Sequence, residues 1–168
     1  MSRERLLASA ESFLGIGEEP KGSNRSGWID AMNAAVDADL GSPWCASFIA
    51  HCLDDSIGVY ETLPFKRTAS VQEMVDDAKA RGLFTKDPSI VLPGDLVVYF
   101  YEGLHRYGHI GIVKTIHLAE DADDVTTTVS IDGNTIPDDS GDSREGFGVF
   151  EKVRTVGPHT AFLTWESA

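Results

Sequence analysis

Cysteine is scarce in this chain. There are two, Cys45 and Cys52, among 168 residues. If both lie on one helix, their Cα atoms stand about 10 Å apart. A disulfide needs less than about 7 Å, so no intrachain bridge is expected. No CxxC pair and no HExxH occurs, and Cys45…His51-Cys52 has no defensible zinc spacing. Asp37-x-Asp39 with Gly41 lacks the glutamate that would close a calcium loop, so it reads as a solvated acidic turn. Basic residues are also few: fourteen against twenty-seven acidic, a net charge of −13. That excludes nucleic acid and anionic membrane surfaces as natural partners. No apolar run is long enough to span a bilayer. Met1-Ser2-Arg3-Glu4-Arg5 is followed by no signal-peptide apolar core. Synthesis in the cytoplasm without a signal peptide is the expectation. Neither an internal repeat nor a linker is visible, so residues 1–168 are read as one domain.

What is present falls into two halves. Leu6, Leu7, Ala10, Phe13 and Leu14 mark a first helix, ended by Gly15 and Gly17. Trp28, Ile29, Met32, Ala35 and Val36 mark a second. Ala46, Phe48, Ile49, Cys52 and Leu53 predict a third from about Trp44 to Asp55. Ser70-Val71-Gln72-Glu73 is a capping box opening a fourth, which Gly82 stops. Val59 to Arg67 shows no periodicity. After Pro93-Gly94-Asp95 the signals turn to β. Strands are expected over Leu96–Tyr101, from His109, over Val125–Asp132, Gly148–Arg154 and Ala161–Trp165. Gly103–Gly108 and Asp121–Asp124 read as turns, and Ile136–Gly146 as a long polar loop. Helices followed by a meandering antiparallel sheet make an α+β fold.

Three stretches carry chemistry. Pro43 places Cys45 in or beside the first turn of its helix. Unpaired N–H groups and the positive dipole end favour a thiolate there and offer donors to an oxyanion. The competing reading of Cys45 is a small buried hydrophobe. His109 opens a strand between Gly108 and Gly111, where another group can approach closely. His51, His105, His117 and His159 have no comparable polar partner by spacing. In Asp132-Gly133-Asn134, an extended backbone puts Asp132 and Asn134 on one face, and either can accept from an imidazole. Asp-Gly and Gly-Asn are also turn pairs, so a hairpin is the alternative.

Taken in order, Pro43-Trp44-Cys45-Ala46-Ser47-Phe48, Pro93-Gly94-Asp95-Leu96-Val97-Val98, Gly108-His109-Ile110-Gly111-Ile112-Val113 and Asp132-Gly133-Asn134 resemble the CHAP domain. The resemblance is strongest over residues 22–154 and includes Gly146–Phe150 with Arg154. CHAP domains are cysteine, histidine-dependent amidohydrolases and peptidases, related to NlpC-type enzymes and papain. The resemblance implies a papain-like fold, N-terminal helices on a mainly antiparallel sheet of about five strands. It implies Cys45 as nucleophile, His109 as base, and Asp132 or Asn134 as orienter of the imidazole; Asn134 is slightly favoured because a neutral amide orients a histidine without lifting its pKa strongly. Asn24, Trp28, Trp44 and Tyr107 are the expected substrate-binding residues. No metal and no organic cofactor is expected. Relatives mostly cut peptidoglycan, at the glycan–peptide amide or within the peptide. A monomeric phage lysin or antibacterial effector, reaching the cell wall after release or injection, is the implied role. An amidase on a small non-wall conjugate and an inactive binding or structural module are the alternatives.

Overall fold

The computed structural model describes residues 2–58, 61–137 and 146–166. Four helices come first in the chain: α1 (Arg3–Ser12), α2 (Gly27–Ala34), α3 (Cys45–Ser56) and α4 (Val71–Ala80). Six strands follow: β1 (Phe84–Thr85), β2 (Leu96–Tyr101), β3 (Arg106–His117), β4 (Thr127–Thr135), β5 (Gly148–Thr155) and β6 (Thr160–Leu163). They form one antiparallel sheet in the order β1-β6-β2-β3-β4-β5.

The fold is the expected α+β, papain-like layout, with two corrections. Among the described residues the strands number six, not five. Phe84–Thr85 is too short to give a period-2 signal, and forms because β6 offers it an edge. Nor is the sheet a plain meander, because β6 returns to lie between β1 and β2. Residues 138–145 of the expected polar loop lie outside the described residues.

Serine opens three of the helices. Ser2, Ser26 and Ser70 each accept a hydrogen bond from a first-turn N–H of α1, α2 and α4. Helix α3 is the central one. Phe48, Ile49, Ala50, Cys52 and Leu53 are buried, leaving it almost no solvent face. One core joins it to α1, α2, α4 and the sheet residues Leu96, Val98, Ile110, Ile112 and Ile131. Val91, Val97, Val113 and Phe162 form a second, smaller cluster. Alternation along β2, β3 and β6 sends neighbouring residues into the two clusters.

The first and last described segments meet at one buried carboxylate. Arg3 donates to Asp95 Oδ1 at 2.7 Å and to the Trp165 carbonyl, and its guanidinium lies 4.6 Å from the Trp165 ring centroid. Trp165 Nε1 donates to the Gly94 carbonyl at 3.1 Å. The Pro93-Gly94-Asp95 stretch is therefore a structural clamp at the start of β2.

Candidate active site

Cys45 is the first residue of α3, and its N-cap is Trp44. Unlike the serines of the other helices, Trp44 makes no side-chain cap hydrogen bond. Its ring is turned away into the core, where Nε1 donates to Glu18 Oε1 at 3.1 Å. The N–H groups of the first turn are thus left without a side-chain acceptor, beside the Cys45 sulfur. Such a site favours an anion. The other cysteine, Cys52, is fully buried on the same helix. Burial pushes its thiol up to about 12, against weaker help from Ser9, so it is inert.

Two β-bulges aim the other polar groups. The β2–β3 register slips between Tyr99, paired with His109, and Phe100, paired with Tyr107, so Gly108 is the extra residue. A bulge bends the strand and re-aims the side chain beside it. A Cβ on residue 108 would stand 2.5 Å from the Tyr101 ring, which explains the glycine. His109 is 2% exposed. Its Nε2 hydrogen-bonds Asp132 Oδ2 at 2.8 Å, and the Cys45 side chain is the other group that interacts with the ring. Its ring stacks on Tyr99, centroids 6.1 Å apart.

The second bulge lies on β4, where the register slips between Asp132 and Thr135. Asp132-Gly133-Asn134 is therefore strand, not a hairpin turn. Gly133 is needed because a Cβ there would meet Phe48 of α3 at 2.8 Å. Asn134 takes a left-handed conformation, φ 54°. That break in alternation separates the two polar side chains that an extended backbone would keep together. Asp132 faces the His109 ring. Asn134 makes no hydrogen bond to the ring; it lines the cleft instead, 2% exposed, with its Oδ1 unpartnered. The expected preference for Asn134 as orienter is corrected accordingly.

Asp132 is completely buried and heavily bonded. Ser130 Oγ donates to Oδ1 at 2.6 Å, and Arg154 donates to Oδ2 at 2.6 Å. Burial alone would raise its pKa, but His109, Arg154 and Ser130 together outweigh it and hold the carboxyl below its ordinary range. For His109, burial opposes the charge, yet Asp132 and Cys45 prevail and push it up to about 9. The imidazolium and the carboxylate thus stabilise each other out of water.

The cleft over Cys45 and His109 has a volume of about 620 Å³. Tyr107 lines it, with its backbone N–H donating to Gln72 Oε1 at 2.9 Å. Asn24, Trp28 and Trp44 are not among its lining residues. Trp28 is 56% exposed and packs edge-on against Phe13. Asn24 takes the left-handed conformation in the loop before α2. Asp37 and Asp39 stand on one lip and Arg106 at the start of β3, all exposed and without a side-chain partner among the described residues. Ser130 and Arg154 carry no site role in the sequence reading. The period-2 alternation of Ser130 with Asp132 is the signal that finds the first. Arg154 comes from the next strand and has no local signal.

Among the described residues no group of His, Cys, Asp and Glu side chains is arranged to hold a metal ion. No curated protein and no solved structure matches the chain. The family model of the CHAP domain matches residues 37–134, more than half of the sequence, from the acidic turn before Cys45 to Asn134. A cysteine at a helix start, a histidine on the facing strand and a carboxylate behind it, within that span, make this chain a member of the CHAP domain family, hydrolases of the amidase or peptidase type.

Proposed function

We propose that the protein is a cysteine-dependent peptidoglycan hydrolase that cuts an amide through a thioester. The observation that carries this reading is the line Cys45–His109–Asp132, a thiol at an uncapped helix start facing an imidazole held from behind at 2.8 Å. His109 takes the Cys45 proton, and the thiolate attacks the amide carbonyl carbon. The oxyanion sits against first-turn N–H groups of α3. The C–N bond breaks as His109 passes its proton to the leaving amine. Water then attacks the thioester, giving its proton to His109, and the carboxylic acid leaves as the Cys45 thiol is restored.

Asp132 orients the ring, and Asn134 offers its amide to the substrate from the cleft wall. Stem peptides of peptidoglycan carry both carboxylates and amines, which suits a cleft lined by Asp37, Asp39 and Arg106. Action as a monomer on the cell wall, after release as a phage lysin or injection as an antibacterial effector, fits this chemistry. The test is digestion of purified peptidoglycan with mass analysis of the fragments, using Cys45→Ala as control. New amino groups and matching stem-peptide fragments should appear with the wild type only.

The net charge of −13 favours a second reading, an amidase on a small non-wall conjugate. Anionic walls repel such a protein within about 10 Å at 0.1 M salt. Wall digestion that rises with moderate salt supports the first reading. Turnover of a small γ-glutamyl conjugate, with no fragment from several wall types, supports the second.

A further inference from the structure

Arg154 extends the line beyond Asp132 and, like that carboxylate, does not border the cleft. It lies on β5 with 21% of its side chain exposed, behind Asp132. It donates to Asp132 Oδ2, the same oxygen that His109 Nε2 engages. Its guanidinium also lies 4.8 Å from the Tyr99 ring centroid, and Tyr99 stacks on His109. Two routes therefore run from Arg154 to the imidazole, one through the carboxylate and one through the Tyr99 ring.

We infer that Arg154 is a positioning residue for the hydrolysis, fixing the carboxylate that holds His109 and supplying its permanent counter-charge. This rests on the reading of Cys45 as nucleophile and His109 as base. Ser130 fixes Oδ1, and Arg154 fixes Oδ2, so the buried carboxylate cannot rotate away from the ring.

The charge argument is independent of the geometric one. During turnover His109 alternates between imidazolium and neutral imidazole. A buried carboxylate whose only cation disappears in half the cycle would take up a proton instead. With Arg154 in place, Asp132 has a cation in both halves. When the thiolate forms, the line reads minus, plus, minus, plus from Cys45 through His109 and Asp132 to Arg154, and sums to zero. The other groups packed here are Tyr99 from β2, Ser130 and Thr128 from β4, and Lys152 from β5. Lys152 is the other cation on this strand face, and its ammonium donates to the Ile136 carbonyl at 3.1 Å.

Removing a buried positive charge raises the pH at which each coupled acid gives up its proton. The test uses the full chain and needs no substrate for its main readout. Cys45 alkylation by iodoacetamide is followed against pH, with peptide mapping to separate it from Cys52. Arg154→Met should move the midpoint upward by about 0.5–1 pH unit. On a soluble peptidoglycan fragment, kcat should fall about tenfold or more with KM changed less than about twofold. Arg154→Lys should restore most of the midpoint, but not the full kcat, because a point charge does not replace a planar fork. A folded Arg154→Met with the wild-type alkylation midpoint overturns the proposal. If that variant does not fold, Arg154→Gln carries the same comparison. If neither neutral variant folds, a wild-type kcat in Arg154→Lys overturns the fixed-carboxylate role, and a lowered one supports it. A normal wild-type alkylation profile without wall digestion discards the peptidoglycan reading and leaves Arg154 where it stands.

Discussion

Gly111 and Asp132 are fitted to each other: a Cβ on residue 111 would stand 2.0 Å from Asp132 Oδ1. The missing side chain is the space that the carboxylate occupies behind His109. Gly111→Ala should therefore displace Asp132 and lower kcat by about 100-fold, the cost of misplacing a group near the chemistry by roughly an ångström. Overpacking should also cost about 1–3 kcal/mol of stability. Kinetics and denaturant unfolding on the same preparation check both, and an Ala variant with full activity contradicts the fit.

Cys45 and Cys52 should separate cleanly in a labelling experiment. Iodoacetamide should modify Cys45 in the folded protein and leave Cys52 untouched, since burial pushes the latter thiol up to about 12. Cys45→Ala should abolish hydrolysis with the thermal midpoint within a few degrees of wild type. Preferential labelling of Cys52 would reverse the assignment.

Asp132 and Asn134 should fail in different ways. Asp132→Ala removes the group on the imidazole, and should lower kcat by about 10³-fold with little change in KM. Asn134→Ala removes a cleft-wall amide that binds no protein atom through Oδ1, so its loss should include a raised KM. Identical kcat-only losses in both variants would return Asn134 to the ring.

Arg106 and the pair Asp37 and Asp39 should govern substrate binding rather than chemistry. Arg106→Gln should raise KM for stem-peptide fragments about two- to tenfold with kcat largely unchanged, the signature of uniform binding. The effect should shrink in high salt, because all three groups are exposed. An unchanged KM at low salt removes the charged lip from substrate recognition.

Stability should depend on pH through the buried dyad. Folding raises the His109 pKa from 6.5 to about 9, so it binds its proton more tightly in the folded state. That contribution is complete below pH 6.5 and lost as pH rises through about 9. Folding lowers the Asp132 pKa, so its contribution is present above 3.8 and lost as the carboxyl protonates at lower pH. The thermal midpoint should be highest between roughly pH 5 and 6.5. It should fall toward pH 9, and Asp132→Asn should flatten the alkaline decline. Calorimetry across pH reads this directly, and a wild-type midpoint unchanged from pH 6.5 to 9.5 would contradict the buried ion pair.

The local signals in the chain were legible where one element explains itself. Ser70 caps α4 as expected, although its own N–H donates to Thr68 Oγ1 and not to Glu73, so only half of the capping box forms; the apolar run Leu96–Tyr101 is β2 to the residue. The strand expected from His109 begins at Arg106, because the turn before it tightens into a single 3-10 turn over Glu102–Leu104, with His105 left-handed. Partners distant in sequence were not legible. Trp44 beside the cysteine reads as a cleft aromatic, yet it is buried by Glu18, 26 residues earlier. Arg154 meets Asp132 across a strand pair, 22 residues later. The left-handed turn of Asn134 hides behind a motif that looks extended, so strict alternation misassigns the face. Composition and periodicity report what each element buries, and bulges decide where the polar groups between them point.

Arg3 and Trp165 share Asp95, and this has an architectural consequence. Polypeptide joined before residue 3 or after residue 166 would enter and leave at nearly the same spot. A unit closed in this way behaves as a cassette: it can be strung beside other domains, or set into a loop of one, without pulling its own ends apart. The cost of such mobility is concentrated in one carboxylate. Loss of Asp95 would open the seam between α1 and the start of β2, while leaving the Cys45–His109–Asp132 line intact within its own strands.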